Sequence, residues 1–110
     1  MQTSANVIEK QLARKRYAVF LNAEYHLKPH KKTGECVIVN IDFGGACIMF
    51  PPDAVFAKGE ALYLEIKPKG FEKVTVTGNI VWLKKSETAC IAGVKFTTPL
   101  DTYSLKKLLF

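Results

Sequence analysis

The sequence predicts an all-β fold, a six-stranded or seven-stranded antiparallel sheet that curls toward a barrel, with one C-terminal helix. Three observations carry this expectation. Apolar and polar residues alternate with period two through several runs, the pattern of half-buried strands. The runs are joined by short turns marked by Gly and Pro, the connections of antiparallel neighbours. Glycines fall inside or beside the longer runs, which argues for strong curvature and closure.

The elements follow in chain order. Met1–Ala5 is polar and expected to be loose. Asn6–Ala13 has Val7, Ile8 and Leu12 at helical spacing with Asn6 as a cap, but is too short to stand unpacked. From Tyr17, the residues Tyr17, Val19, Leu21, Ala23, Tyr25 and Leu27 share one apolar face, the mark of a long strand. Lys28–Gly34 reads as a turn, punctuated by Pro29 and Gly34. Two strands then meet at Gly44-Gly45, and Pro51-Pro52-Asp53 ends the second. Ala61–Lys67 alternates again. Lys73–Leu83 places Val74, Val76, Ile80 and Trp82 on one face, which assigns Trp82 to the core, with Gly78 marking a bend. Cys90–Phe96 is the last strand. Thr98-Pro99-Leu100-Asp101 reads as a helix start, with Thr98 as cap and Pro99 in the first turn. The helix carries Leu100, Tyr103, Leu105, Leu108 and Leu109, a set that closes over the sheet or meets a partner.

Composition bounds the function. At 110 residues the chain is expected to form one domain, 14–110, preceded by an arm, 1–13. No apolar run reaches the ~20 residues of a membrane helix, and the start lacks an apolar signal core, so membrane insertion is not expected and the expected compartment is the cytoplasm. Cys36, Cys47 and Cys90 each lie in a strand-like run and read as buried reduced thiols. The net charge is +6. Residues 9–32 concentrate the excess, with seven cations against Glu9 and Glu24, which favours an anionic partner. No Ser-His-Asp or paired-carboxylate setting appears, so no enzyme is expected. His26 and His30 are four apart, but Pro29 forbids the helix that would align them on a metal, so no metal site is expected; they read as surface residues at a turn.

Val37–Ile48, VIVNIDFGGACI, carries the densest signal. Asn40 and Asp42 project from the same face of a strand. Gly44-Gly45 follows, free to adopt positive φ or to let a partner approach the backbone. Taken alone, the stretch also reads as an ordinary hairpin with a glycine bulge.

With three further stretches it resembles the PilZ domain family. Arg14-Lys15-Arg16-Tyr17 is a basic cluster ahead of the first strand; Asn40-Ile41-Asp42-Phe43-Gly44-Gly45 is similar to the family's (Asp/Asn)-x-Ser-x-x-Gly motif; Gly78-Asn79-Ile80-Val81-Trp82 is similar to its Gly-x-Val-x-Trp strand; Ala92-Gly93-Val94-Lys95-Phe96 is similar to its Gly-(Ile/Val)-x-Phe strand. The resemblance implies a six-stranded antiparallel β-barrel with a C-terminal helix. It implies cyclic di-GMP as ligand, with Arg14, Lys15, Arg16, Asn40, Asp42 and Gly45 as the site. Guanidinium forks suit the two phosphates and stack on guanine; Asn40 would meet a guanine edge and Gly45 would leave room.

Two departures stand out. Nucleotide-binding members carry Arg-x-x-x-Arg before the first strand, whereas here Arg14 is followed four residues later by Ala18, Lys15 by Val19 and Arg16 by Phe20. The preferred register sets Lys15 and Val19 at the two arginine positions. Asp42 stands at the usual serine.

The implied function is a cyclic di-GMP-responsive effector or adaptor in motility, pilus or biofilm control, acting through a protein partner and binding weakly. The alternative is an adaptor of the same fold that has lost the nucleotide and acts through Tyr103–Phe110. A third reading, a nucleic-acid-binding barrel, has basic charge and Tyr17, Phe20, Tyr25 and Phe43 in its favour. Against it, period two turns Tyr17 and Tyr25 toward the core.

Overall fold

The computed structural model describes residues 15–27, 32–68, 70 and 72–110. The arm 1–13, Arg14 and the turn at 28–31 lie outside the described residues. Six strands form: β1 (Tyr17–Leu27), β2 (Lys32–Ile41), β3 (Gly45–Phe50), β4 (Ala61–Ile66), β5 (Val74–Lys85) and β6 (Cys90–Phe96). One helix, α1 (Thr102–Leu109), follows. The strands close into a barrel in the order β1-β2-β3-β6-β5-β4, every pair antiparallel. The barrel is thus two three-stranded meanders joined edge to edge, and closure leaves no strand edge to aggregate.

Alternation produces the core. Ala23, Tyr25 and Leu27 of β1 are buried, as are Ile38 and Ile41 of β2 and Leu62, Leu64 and Ile66 of β4. Tyr17, Val19 and Leu21 are partly buried and pack against the same core. Cys36, Cys47 and Cys90 are free and buried, as expected, and burial pushes the Cys36 thiol up to about 12.

Three register shifts curve the strands: between Ala18 and Leu21, between Ile38 and Asn40, and between Ile80 and Trp82. Such bulges bend and twist a strand, which lets only six strands close. The last one corrects the reading of Trp82. The extra residue at Val81 breaks the period, so Trp82 turns outward and is 44% exposed. Gly78 lies in regular register instead; a Cβ there would come within 2.6 Å of the Lys95 carbonyl oxygen. Gly34 is not in a turn but within β2, opposite Tyr25, whose ring fills the space a side chain would need.

Between β3 and β4, Ala54 and Phe56 return to the core. Phe56, Phe50 and Tyr25 form a ring cluster with centroids 4.5–5.3 Å apart. Leu105 and Leu108 of α1 are buried in the same core, while Tyr103 and Phe110 are exposed, so the helix leucines cover the barrel.

The cap of α1 is Asp101, not Thr98: its Oδ1 accepts from the Ser104 backbone N–H at 2.6 Å. That hydrogen bond holds the Asp101 carboxyl below its usual range. A depressed carboxylate stabilises the fold above its unfolded pKa and loses that contribution as pH falls through the folded one. The helical circular-dichroism signal is therefore expected to weaken below the ordinary aspartate value of 3.8. Asp101→Asn, which keeps the cap without the charge, is expected to remove that part of the pH dependence.

Candidate ligand-binding site

The register of β1 against β2 sets Tyr17 opposite Ile41 and Ala18 opposite Asn40. The residues just before β1 therefore run beside the corner after β2. Arg16 uses this placement. Its Nη1 donates to Asn40 Oδ1 at 2.8 Å, and its Nε lies 3.4 Å from Asp42 Oδ2. Among the described residues, the basic cluster meets the polar corner through this side chain.

Asp42 has a second task. Its Oδ1 accepts the Gly44 backbone N–H at 2.8 Å, and its own N–H donates to the Gly45 carbonyl at 2.9 Å. This is the short-range bonding by which Asp shapes a turn. The carboxylate thus holds both the corner and the guanidinium. Lys15 reaches a different partner, with Nζ 5.3 Å above the Tyr17 ring, a cation–π distance.

The two glycines differ from expectation. Neither has positive φ; Gly59 and Gly70 do. Gly45 is buried, and a Cβ there would stand 2.5 Å from the Val94 carbonyl oxygen. Its bare backbone admits the close approach of β6. Gly44 is exposed, with only Asp42 Oδ1 near its missing side chain.

Cross-strand pairing extends the wall beyond the motif residues. Asn40 pairs with Cys47, Cys47 with Gly93 and Gly93 with Trp82. The Trp82 indole lies over Gly93, where a Cβ would collide with it. In the adjoining row Gly45 pairs with Lys95 and Lys95 with Asn79. Lys95 is exposed, so it adds a cation beside the corner, and Trp82 adds an aromatic face. Sequence reasoning missed both. Period two puts Lys95 outside, but only the pairing of β3 with β6 puts it next to Gly45.

Val19 is partly buried against the core, so a side chain there points away from Asn40. Ala18 is exposed and directly opposite Asn40. The strand position across from Asn40 is therefore Ala18. The Arg16 side chain is exposed. A cavity of about 560 Å³ lies toward the other end of β1, between Glu24, Glu35, Met49 and Glu65.

The PilZ domain family model matches residues 12–110. The chain belongs to the PilZ domain family. PilZ domains are non-catalytic receptors of cyclic di-GMP. Comparison with the curated proteins gave no match. Among solved structures, the inhibitor of motility (MotI/DgrA) of Bacillus subtilis aligns with TM-score 0.67 and 14% identity, over 86% of this chain and 46% of that one. This PilZ chain thus spans about half the length of the motility inhibitor. The PilZ domain with cyclic di-GMP of YcgR from Escherichia coli aligns with TM-score 0.67 and 10% identity, over 86% of this chain and 83% of that one. The PilZ domain of CeSA from a cellulose-synthesizing bacterium gives 0.60 and 14%, over 86% and 91%. At these identities the likeness is one of fold. Among the described residues of this PilZ domain no helix is long and apolar enough to cross a membrane.

Proposed function

We propose that this PilZ domain is a weak cyclic di-GMP effector that passes the signal to a protein partner in motility, pilus or biofilm control. One observation supports the reading above others: Arg16 bridges Asn40 and Asp42. A guanidinium, a carboxamide and an open wall carrying Lys95 and Trp82 together suit a ligand with two phosphates and two guanines. Lys15 adds positive charge just ahead of β1, and Gly45 keeps the corner closed onto β6.

Weakness has two causes. Asp42 already holds Arg16, so a phosphate must displace a carboxylate to reach that guanidinium. The family's arginine pair is missing, since Ala18, Val19 and Phe20 stand four residues after Arg14, Lys15 and Arg16. A hydrogen bond to a charged group contributes roughly 1.5–3 kcal/mol, so its absence weakens binding by about ten- to a hundredfold.

Titration calorimetry with cyclic di-GMP tests the proposal. Heat of binding is expected at roughly tens of micromolar protein. Asn40→Ala is expected to reduce affinity about tenfold by removing one hydrogen bond to a charged group. Lys15→Ala is expected to change it little, because that ammonium sits over Tyr17. Absence of heat in the wild type leaves the second reading, a nucleotide-independent adaptor. That reading draws on the exposed face of α1, where Tyr103 is 70% and Phe110 90% exposed.

A further inference from the structure

On the outer face of the barrel β1 lies against β4, with Glu24 opposite Glu65 and His26 opposite Tyr63. Two carboxylates directly across a strand pair repel one another, so this placement calls for a cation between them. His26 stands beside both: its Nε2 is 3.2 Å from Glu65 Oε1 and 4.0 Å from Glu24 Oε2. The same Nε2 is closed off from solvent and makes no hydrogen bond. A buried polar nitrogen without a hydrogen bond calls for another partner. The ring is steadied by Tyr63, 5.5 Å away between centroids. One ligand atom from each of Glu24, His26 and Glu65 lies within 4.8 Å of the others, the one such grouping among the described residues.

We propose that Glu24, His26 and Glu65 form a site for one divalent transition metal ion of the Zn2+ class, with its remaining coordination open toward the adjacent cavity. Zinc binds imidazole nitrogen and carboxylate oxygen at about 2.0–2.2 Å, which places tetrahedral ligands about 3.4 Å apart. The two gaps at His26 bracket that spacing, and a small swing of the Glu24 side chain completes it. An imidazole with carboxylates suits Zn2+ better than Mg2+ or Ca2+, which favour all-oxygen sets. Glu24 and Glu65 both line the 560 Å³ cavity, so water or an exogenous donor has room to complete the shell. Lys73 is the resident competitor: its Nζ lies 3.1 Å from Glu65 Oε2 and holds that carboxyl below the usual range. The site lies toward the far end of β1 from the Arg16 corner and does not depend on the cyclic di-GMP reading.

Zn2+ titrated into chelator-treated, reduced full-length protein tests the assignment by calorimetry, with Co2+ absorption as the second readout. One ion per chain is expected, with a Co2+ spectrum of nitrogen and oxygen ligands. His26→Gln and Glu65→Gln are each expected to weaken uptake at least about tenfold. Lys73→Met is expected to strengthen it severalfold, a gain that a merely misfolded variant would not show. Thermal melts without metal establish that each variant is folded. No stoichiometric uptake at roughly 100 µM Zn2+, uptake unchanged in His26→Gln, or a thiolate-to-Co2+ band would each overturn the proposal.

Discussion

Ala18→Arg is expected to tighten cyclic di-GMP binding by about ten- to a hundredfold. The substitution sets an arginine four residues after Arg14, the spacing of the family's arginine pair. Ala18 is exposed and sits directly across from Asn40, so the new guanidinium lands on the wall that Arg16 and Lys95 already make positive. It needs no rearrangement of the core. Val19→Arg is the control: Val19 packs against the core, so an arginine there forces a charge toward apolar surroundings and lowers stability without gain in affinity. Calorimetry on the two variants beside the wild type decides the matter. If Ala18→Arg and the wild type both give no heat, the ligand-sensing reading fails and the adaptor reading stands.

Phe50→Ala is expected to cost about 3–5 kcal/mol of folding stability. Phe50 is the largest fully buried side chain among the described residues, 1% exposed at the end of β3. It meets Tyr25 edge-on at 5.1 Å and Phe56 at 4.5 Å. Truncation removes the shared partner of both rings, and neither can collapse fully into the gap: Tyr25 is pinned over Gly34, and Phe56 lies in the short connection to β4. Domains of this size are stable by only about 5–15 kcal/mol, and each kcal/mol is worth roughly 4–8 °C in melting temperature. A urea titration is expected to show a large fall in midpoint with little change in slope. A fall below about 1 kcal/mol would mean that the ring cluster is not a structural joint of the barrel.

Much of the barrel is legible in the chain because period two is local. The inward face of β1, Tyr17 through Leu27, follows from alternation alone, and so do the bounds of β6 at Cys90 and Phe96. Alternation fails at Trp82 because the bulge at Val81 inserts one residue there, which leaves Trp82 outside and turns Leu83 toward the core. Gly34 misleads for a related reason. Glycine marks turns, yet here it clears space for a ring on the neighbouring strand, a need visible only once β1 and β2 are paired. Thr98 and Asp101 both satisfy the chemistry of a cap, and the chain chose Asp101 because Pro99 and Leu100 complete the return from β6, where Leu100 N–H donates to the Phe43 carbonyl.

The sequence by itself determined the all-β class, the inward faces, the free thiols and the motif order that marks a PilZ domain, because these rest on neighbours one to four residues apart. Tertiary structure decided what meets what. It joined Arg16 to Asn40 and Asp42 across 24 and 26 positions, brought Lys95 beside Gly45, turned Trp82 outward and set Glu24 against Glu65. Those encounters depend on strand order and register around a closed ring. Both arise from bulges and long-range closure, to which no single stretch of chain holds the key.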